Sequence, residues 1–166
     1  MLELDKYFAH IQDMKKKLFL CIVATILHLI AVPLYSATSP KILVITNDKK
    51  GGQSCEFVVE AAVTYHELAR GLMFRNKLEA EGGMLFFFVD DAMRSFWMEN
   101  TQIPLDIVFI NSSFTVVHVH RNAKPMDQTT ISSQFPAQYV LEVNAGKAVS
   151  CRIVPGCKIN FRAGPR

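Results

Sequence analysis

The stretch DIVFINSSFTVVHVH, residues 106–120, decides the fold class of this 166-residue sequence. Residues 106–110 and 114–120 are rich in β-branched and aromatic side chains, which favour strands. Between them lies the short polar turn Asn111-Ser112-Ser113. A strand, a tight turn and a second strand predict a β-hairpin.

Further strands are predicted on both sides of this hairpin, because short apolar runs recur there between turn residues. These runs are Lys41–Asn47 and residues 57–63, 83–89, 96–98, 139–143 and 158–161. The polar stretch 48–54, which contains Gly51-Gly52, is predicted to be a turn or loop.

One segment has helical signals instead. Thr64 and Glu67 have the spacing of a capping box, and Gly71 is a plausible stop signal, so a short helix is predicted near residues 65–73. A second short helix is predicted within residues 144–152. Many short strands with one or two short helices indicate a mainly β fold, a compact sandwich or barrel-like domain.

Composition is consistent with a globular domain, since 50% of the residues are hydrophobic and 20% are charged. The formal net charge is only +3, and beyond residue 37 there are 14 Lys and Arg against 12 Asp and Glu. This near-balance predicts that nucleic acid is not a partner.

The first 37 residues have the layout of a secretory signal. Met14-Lys15-Lys16-Lys17 precedes the apolar residues 18–35, and small residues follow at 36–39. We expect the chain to start at Met14, with cleavage after Ala37 and export to the periplasm or medium. A retained anchor stays open, because residues 18–35 approach the roughly 20 apolar residues that span a bilayer. Membrane contact is predicted only through this signal or uncleaved anchor.

Several motifs occur in one order and identify a family resemblance. They are RGLMFR at 70–75, GMLFFF at 83–88, FWMENT at 96–101, IPLDIVFI at 103–110 and YVLEVNAG at 139–146. The chain resembles domain-of-unknown-function family 192, whose members are uncharacterised and mostly bacterial, exported or membrane-associated proteins. The resemblance implies a compact, mostly β, sandwich-like domain over residues 57–161. Residues 38–56 are then a leader strand or loop and 162–166 a tail. The family usually has Gly-Asp before its last strand, where this chain has Gly156-Cys157.

Polar residues inside these motifs predict a ligand-binding site made of Arg70, Trp97, Asn100, Thr101, Asp106 and Glu142. A guanidinium group binds an anionic group in a forked contact, and a carboxylate serves as acceptor or proton carrier. The alternative is a structural network in which a buried Arg70 pairs with a carboxylate. The aromatic residues Phe86, Phe87, Phe88, Phe96 and Trp97 are either a stacking platform or core.

The sequence therefore predicts an exported domain that binds a small-molecule ligand or an envelope component, with no cofactor. One alternative is a hydrolase or lyase acting on a cell-wall or carbohydrate substrate, with Asp106 and Glu142 as acid and base. Carboxyl groups about 5 to 9.5 Å apart across a cleft would keep this alternative, and opposite faces of a sheet would remove it.

A second alternative is soft-metal binding in the periplasm by His118 and His120, which leave the same face of a predicted strand. It needs a further ligand from Met73, Met84, Met98 or a thiol. Methionine is more often a core side chain at such positions, so no metal site is predicted.

The predicted exported part contains three cysteines, Cys55, Cys151 and Cys157, which allow one disulfide and one remaining thiol in three pairings. Loop-closure entropy favours Cys151 with Cys157. A catalytic cysteine with His66, His118 or His120 as base has no supporting motif.

Overall fold

A computed structural model describes residues 41–47 and 54–164 of the chain. The predicted tail and signal at residues 1–37, and almost all of the predicted loop at 48–54, lie outside the described residues. Within the two described ranges, no helix has the length and apolar character needed to cross a membrane.

Strands dominate the described ranges, and only two short helices interrupt them, so the prediction of a mainly β fold is confirmed. The elements are β1 (Lys41–Asn47), β2 (Ser54–Ala62), α1 (Tyr65–Arg70), β3 (Gly82–Ala92), β4 (Ser95–Phe96), β5 (Leu105–Ile110), β6 (Val116–Ala123), β7 (Ile131–Ser132), β8 (Ala137–Asn144), α2 (Lys147–Ser150) and β9 (Lys158–Ala163).

Seven strands form one curled sheet, a half-barrel, in the order β6-β5-β8-β3-β2-β1-β9. Neighbours in it are antiparallel except β2 and β3, which are parallel. The two edges of this sheet meet at one end, where Thr115 bridges to Lys158 and the Ile159 N–H donates to the Phe114 carbonyl at 2.9 Å. Strands β4 and β7 pair separately and form a small ribbon, the β4–β7 ribbon.

Local predictions are confirmed with small changes in length. The hairpin consists of β5 and β6, and its turn is closed by the Phe114 N–H, which donates to the Asn111 carbonyl at 2.9 Å. Strand β4 is shorter than predicted, and β7 was not predicted at all. The sheet also includes β1, which precedes the predicted domain start at residue 57, and β9, which ends beyond residue 161 at Ala163.

Helix α1 begins as its capping box predicts. The Glu67 N–H donates to the Thr64 hydroxyl at 3.3 Å, and the Thr64 N–H donates to the Glu67 carboxylate at 2.8 Å. The Val63 N–H also donates to the Glu67 carboxylate, and the hydrogen bonds from the Thr64 and Val63 backbone lower the pKa of Glu67. The helix ends at Arg70, before the predicted residue 73, because Gly71 has a φ of +49° that stops the helical path.

The large sheet buries both of its faces, and strand alternation assigns each residue to one of them. One face, the barrel face, is enclosed by the curl and buries Val44, Phe57, Leu85, Val108, Leu141 and Val143. The opposite face, the ribbon face, buries Leu72, Met84, Phe86, Met98, Ile107, Phe109 and Val140. Helix α1 and the β4–β7 ribbon contribute residues that pack on this second face.

The disulfide joins Cys55 to Cys151, with the two Cα atoms 5.7 Å apart, so the loop-closure preference for Cys151 with Cys157 is wrong. The sheet decides the pairing because it brings β2 next to the end of α2 on the barrel face. Cys157 is the free cysteine among the described residues and is buried. Its thiol donates to the Arg152 carbonyl and accepts from the Val154 N–H, both at 3.5 Å.

Candidate functional site

A cavity of about 270 Å³ lies on the ribbon face, between α1 with its following turn and the segment after β4. Four of the six predicted site residues line it, namely Arg70, Trp97, Thr101 and Glu142. The other lining residues are mostly apolar: Leu68, Ala69, Gly71, Leu72, Met73, Phe86, Phe88, Ser95 and Phe96. The cavity is therefore an aromatic and aliphatic pocket with a few polar groups, the usual composition of a small-molecule site.

Glu142 is the most unusual residue of this cavity. It lies in β8 between Met84 of β3 and Ile107 of β5, and only 5% of its surface is exposed. Its carboxyl group has no hydrogen bond or ion pair with any residue in the described ranges. Burial raises the pKa of Glu142 to about 8, so the group is mostly protonated at neutral pH. A buried acid without a partner is costly to the fold, which points to a role outside stability.

Gly71 leaves the space beside this carboxyl group. A Cβ atom at position 71 would lie 3.1 Å from Phe86 Cζ and 3.9 Å from Glu142 Oε2. Its φ of +49° also disfavours any L side chain. One glycine thus ends α1 and keeps the cavity open next to Glu142. The stop signal at Gly71 was visible in the sequence, but its contact with Glu142 was not.

Arg70, the last residue of α1, is exposed at the cavity rim and makes no hydrogen bond or ion pair within the described part of the chain. The predicted network with a buried Arg70 is therefore wrong. A charge pair of this kind forms instead at Arg75, five residues further on, which makes a forked contact to Glu60 with N–O distances of 2.6 and 2.7 Å. This contact lowers the pKa of Glu60. Sequence reasoning missed the Arg75–Glu60 pair because the two residues lie on separate elements.

Aromatic rings form one wall of the cavity. The Phe96 ring packs edge-to-face against Phe86 and Phe88, with centroids 5.2 and 6.4 Å apart. The Arg94 guanidinium lies 4.1 Å from the centroid of Phe88 and donates to the Ala137 carbonyl at 2.8 Å, which fixes this wall. Trp97 follows β4 and is 51% exposed, so one part of its indole is accessible from solvent. The core interpretation therefore holds for Phe86, which is buried, and the stacking interpretation stays a prediction for Trp97.

Thr101 lines the cavity, but Asn100 does not. The Thr101 hydroxyl donates to the Glu99 carbonyl at 3.3 Å. Asn100 has a φ of +54°, and its carbonyl accepts from the Phe74 N–H at 2.8 Å. Asn100 is therefore a turn residue that connects the two loops at the cavity, and its place in the predicted site is corrected. Asparagine tolerates this backbone conformation better than most residues, which explains its presence here.

Asp106 is also removed from the predicted site. It pairs with Val143 across the β5–β8 ladder, whereas Glu142 pairs with Ile107, so the two carboxyl groups lie on opposite faces of the sheet. The Asp106 carboxylate accepts from the Asn122 N–H at 2.9 Å and from the Ala148 N–H of α2 at 2.8 Å. It is a structural cap, and the hydrolase or lyase alternative that uses Asp106 and Glu142 as an acid–base pair is excluded by this geometry.

His118 and His120 lie on β6 opposite Phe109 and Ile107, so both leave the same face of the strand as predicted, and that face is the ribbon face. The His118 ring stacks on Phe109 with centroids 5.8 Å apart. Burial, with a smaller contribution from His120, lowers the pKa of His118. Among the described residues, no group of three or more His, Cys, Asp or Glu is arranged to hold a metal ion, so these two histidines gain no carboxylate or thiolate partner.

The curled sheet and its cavity place the chain among small, mainly β domains with a pocket of ligand size. The chain belongs to domain-of-unknown-function family 192, whose model, described as "Uncharacterized ACR", matches residues 45–161. The family resemblance in the sequence is thereby confirmed.

Two solved structures are similar to this chain. One is a Sinorhizobium meliloti protein described provisionally as a transcription regulator, with 35% identity and a TM-score of 0.71; the match covers 75% of this chain and 96% of that one. The other is a Novosphingobium aromaticivorans protein of unknown function, with 38% identity and a TM-score of 0.70, covering 77% and 89%. A search of curated proteins found no match.

Proposed function

We propose that this chain is an exported domain that binds a small ligand, free or as part of an envelope component, in the cavity over Glu142. The observation that carries the proposal is Glu142, a residue only 5% exposed, which lines a cavity and whose carboxyl group has no hydrogen-bond or ion-pair partner in the described ranges. A fold gains nothing from such a group, whereas a ligand that pairs with it recovers its hydrogen bonds. Trp97 supplies a partly exposed ring surface, and Arg70 supplies an unpaired cation at the rim.

Export is supported by the signal-like pattern of residues 14–39 and by the disulfide between Cys55 and Cys151. Disulfides persist mainly in oxidising compartments such as the periplasm. The similar Sinorhizobium protein is described as a transcription regulator. The charge of this chain is nearly balanced beyond residue 37, which does not favour binding to nucleic acid.

Intrinsic fluorescence tests the proposal, since Trp97 is the sole tryptophan of the sequence and lines the cavity. Glucose, benzoate, benzylamine and phenylalanine represent neutral, anionic, cationic and zwitterionic probes. We expect at least one of them to change the Trp97 emission with saturation at millimolar concentration and to raise the thermal midpoint of unfolding.

Matched variants show whether the response comes from the cavity. Arg70→Ala and Glu142→Gln should lower the affinity for the probe that binds. Arg162→Ala on β9 and Glu56→Gln on β2 should leave that affinity unchanged. Arg70→Ala should also keep the free energy of unfolding within about 0.5 kcal/mol of the parent, as expected for an exposed side chain without a partner. The proposal fails if no probe class changes Trp97 emission, or if all four variants respond like the parent.

A further inference from the structure

We infer that the ligand of this cavity is a small zwitterion whose primary ammonium group pairs with Glu142 and whose anionic group reaches Arg70. This inference rests on the proposed function, because it names the class of ligand for the same cavity. It is carried by charge complementarity: the cavity has an unpaired buried acid inside and an unpaired cation at the rim.

The Glu142 carboxyl group has no hydrogen-bond partner at either oxygen among the described residues. A protonated carboxyl group has one donor and one carbonyl acceptor, so a neutral ligand that only accepts, such as an ether or a ketone, would satisfy the proton and leave the carbonyl oxygen without a partner. An ionised carboxylate accepts at both oxygens, and a primary ammonium group has three N–H donors. An ammonium group therefore satisfies this carboxyl group more fully than an acceptor-only ligand does, and the neutral ligand that could match it is one with both a donor and an acceptor, such as a primary amide.

Aromatic rings line the cavity that contains the Glu142 carboxyl group. Phe86, Phe88, Phe96 and Trp97 line the same cavity. Aromatic ring faces attract cations, and this attraction is stronger where water is excluded. Arg94 already lies against Phe88 in this way, with its guanidinium 4.1 Å from the ring centroid. The remaining rings face a cavity whose buried charge-bearing group is an acid, so a cationic nitrogen fits both.

The rim of the cavity has a cation, the guanidinium group of Arg70. Arg70 is exposed, lines the cavity and has no hydrogen bond or ion pair among the described residues. Its guanidinium group is planar and offers a forked contact that matches a carboxylate. The positive charge of Arg70 would repel a purely cationic ligand. A zwitterion would place its ammonium group beside Glu142 inside the cavity and its anionic group beside Arg70 at the rim, so both contacts would be attractive.

Binding of such a ligand changes the protonation of the protein. Glu142 and Arg70 are the titratable side chains that line the cavity, and Met84 and Phe86 of β3 and Ile107 of β5 flank Glu142. Two strands away on either side are His120, opposite Ile107, and Glu60, which is opposite Met84 and paired with Arg75. Glu60, Glu67 and Arg75 lie with Arg70 around an adjoining cavity. Because Glu142 is mostly protonated at pH 7 and must ionise to pair with an ammonium group, binding should release a proton there. The affinity should rise about tenfold from pH 6 to pH 7 and level off above pH 8.

A series of ω-amino acids tests the inference with the intact protein. β-Alanine, γ-aminobutyrate, δ-aminovalerate and ε-aminocaproate vary the distance between the ammonium and carboxylate groups. Caproate lacks the amine of the last compound, and pentylamine lacks its carboxylate. We expect one member of the series to bind about tenfold or more tightly than both caproate and pentylamine, as shown by Trp97 emission and calorimetry.

The variants separate the two contacts. Glu142→Gln should abolish proton release, measured by calorimetry in buffers of different ionisation enthalpy, and should reduce the amino acid to the affinity of caproate. Arg70→Ala should reduce it to the affinity of pentylamine, while Arg162→Ala should change nothing. Binding of caproate or of glucose as tightly as the best amino acid, or without proton release, overturns the zwitterion but leaves a ligand-binding cavity. Loss of all binding with every probe overturns both.

Discussion

Two buried acids on neighbouring strands have contrasting surroundings in this molecule. On the barrel face, the Asp106 carboxylate accepts from two backbone N–H groups, at 2.9 and 2.8 Å, and thereby holds the end of β6 and the start of α2. On the ribbon face, Glu142 is 5% exposed against 1% for Asp106, but it accepts nothing in the described chain, and a cavity opens beside it. The difference shows that two buried acids can differ in their partners: backbone donors hold Asp106, whereas Glu142 has none in the described chain and is the acid that we propose meets a ligand.

The largest expected effect concerns the pH dependence of stability. The pKa of Glu142 is raised from 4.5 to about 8, so the folded chain retains a proton that the unfolded chain releases between these values. The free energy of unfolding should therefore fall as the pH rises from about 4.5 to 8, and by an amount of the order of 4 kcal/mol from this residue. Glu142→Gln should remove that decrease, as measured by urea unfolding at several pH values.

Glu56→Gln, on the exposed side of β2, is the matched control and should keep the parent's pH dependence. The comparison of the two acids would be broken if Glu142→Gln and Glu56→Gln had the same pH profile, because Glu142 would then titrate like a solvated carboxyl group.

The next effect concerns Asp106. Asp106→Asn replaces one acceptor oxygen by an amide donor, so either the Asn122 or the Ala148 N–H loses its partner. We expect a loss of about 2 kcal/mol in the free energy of unfolding, from one unsatisfied buried donor. Ligand-dependent changes in Trp97 emission should stay close to those of the parent. A variant with parental stability but without ligand response would reverse the roles assigned to the two acids.

A smaller effect is expected at Gly71. Gly71→Ala places a side chain at a φ of +49° and 3.1 Å from Phe86 Cζ, which should cost about 1–2 kcal/mol. The same methyl group would lie 3.9 Å from Glu142 Oε2 and reduce the cavity, so probe binding should weaken as well. Gly146→Ala is the control, since Gly146 has a φ of +89° but nothing within 4 Å of an added Cβ. It should lower stability without changing probe affinity.

Much of the fold could be predicted from local sequence. The alternation in residues 57–63, the capping box at Thr64 and the polar turn after Ile110 each depend on near neighbours, and the structure confirms them. Strand β7 was missed because two residues, Ile131 and Ser132, give too short a pattern to recognise.

The candidate site could be predicted only in part, because its geometry depends on pairing between distant strands. Asp106 and Glu142 both interrupt apolar runs and look alike in the sequence. Their separation follows from the β5–β8 register, which places Asp106 opposite Val143 and Glu142 opposite Ile107. The exposure of Arg70 and the pairing of Cys55 with Cys151 depend on similar long-range contacts, so neither could be predicted from a local motif.

The covalent link between Cys55 and Cys151 lies with the barrel face, on the side of the sheet away from Glu142. It closes a loop across 96 positions and so restrains the unfolded chain strongly. Reduction of this disulfide would thus lower the stability of the fold and leave the proposed ligand affinity unchanged as long as the chain remains folded. Redox conditions would then control stability, while pH would control the proposed ligand binding through Glu142.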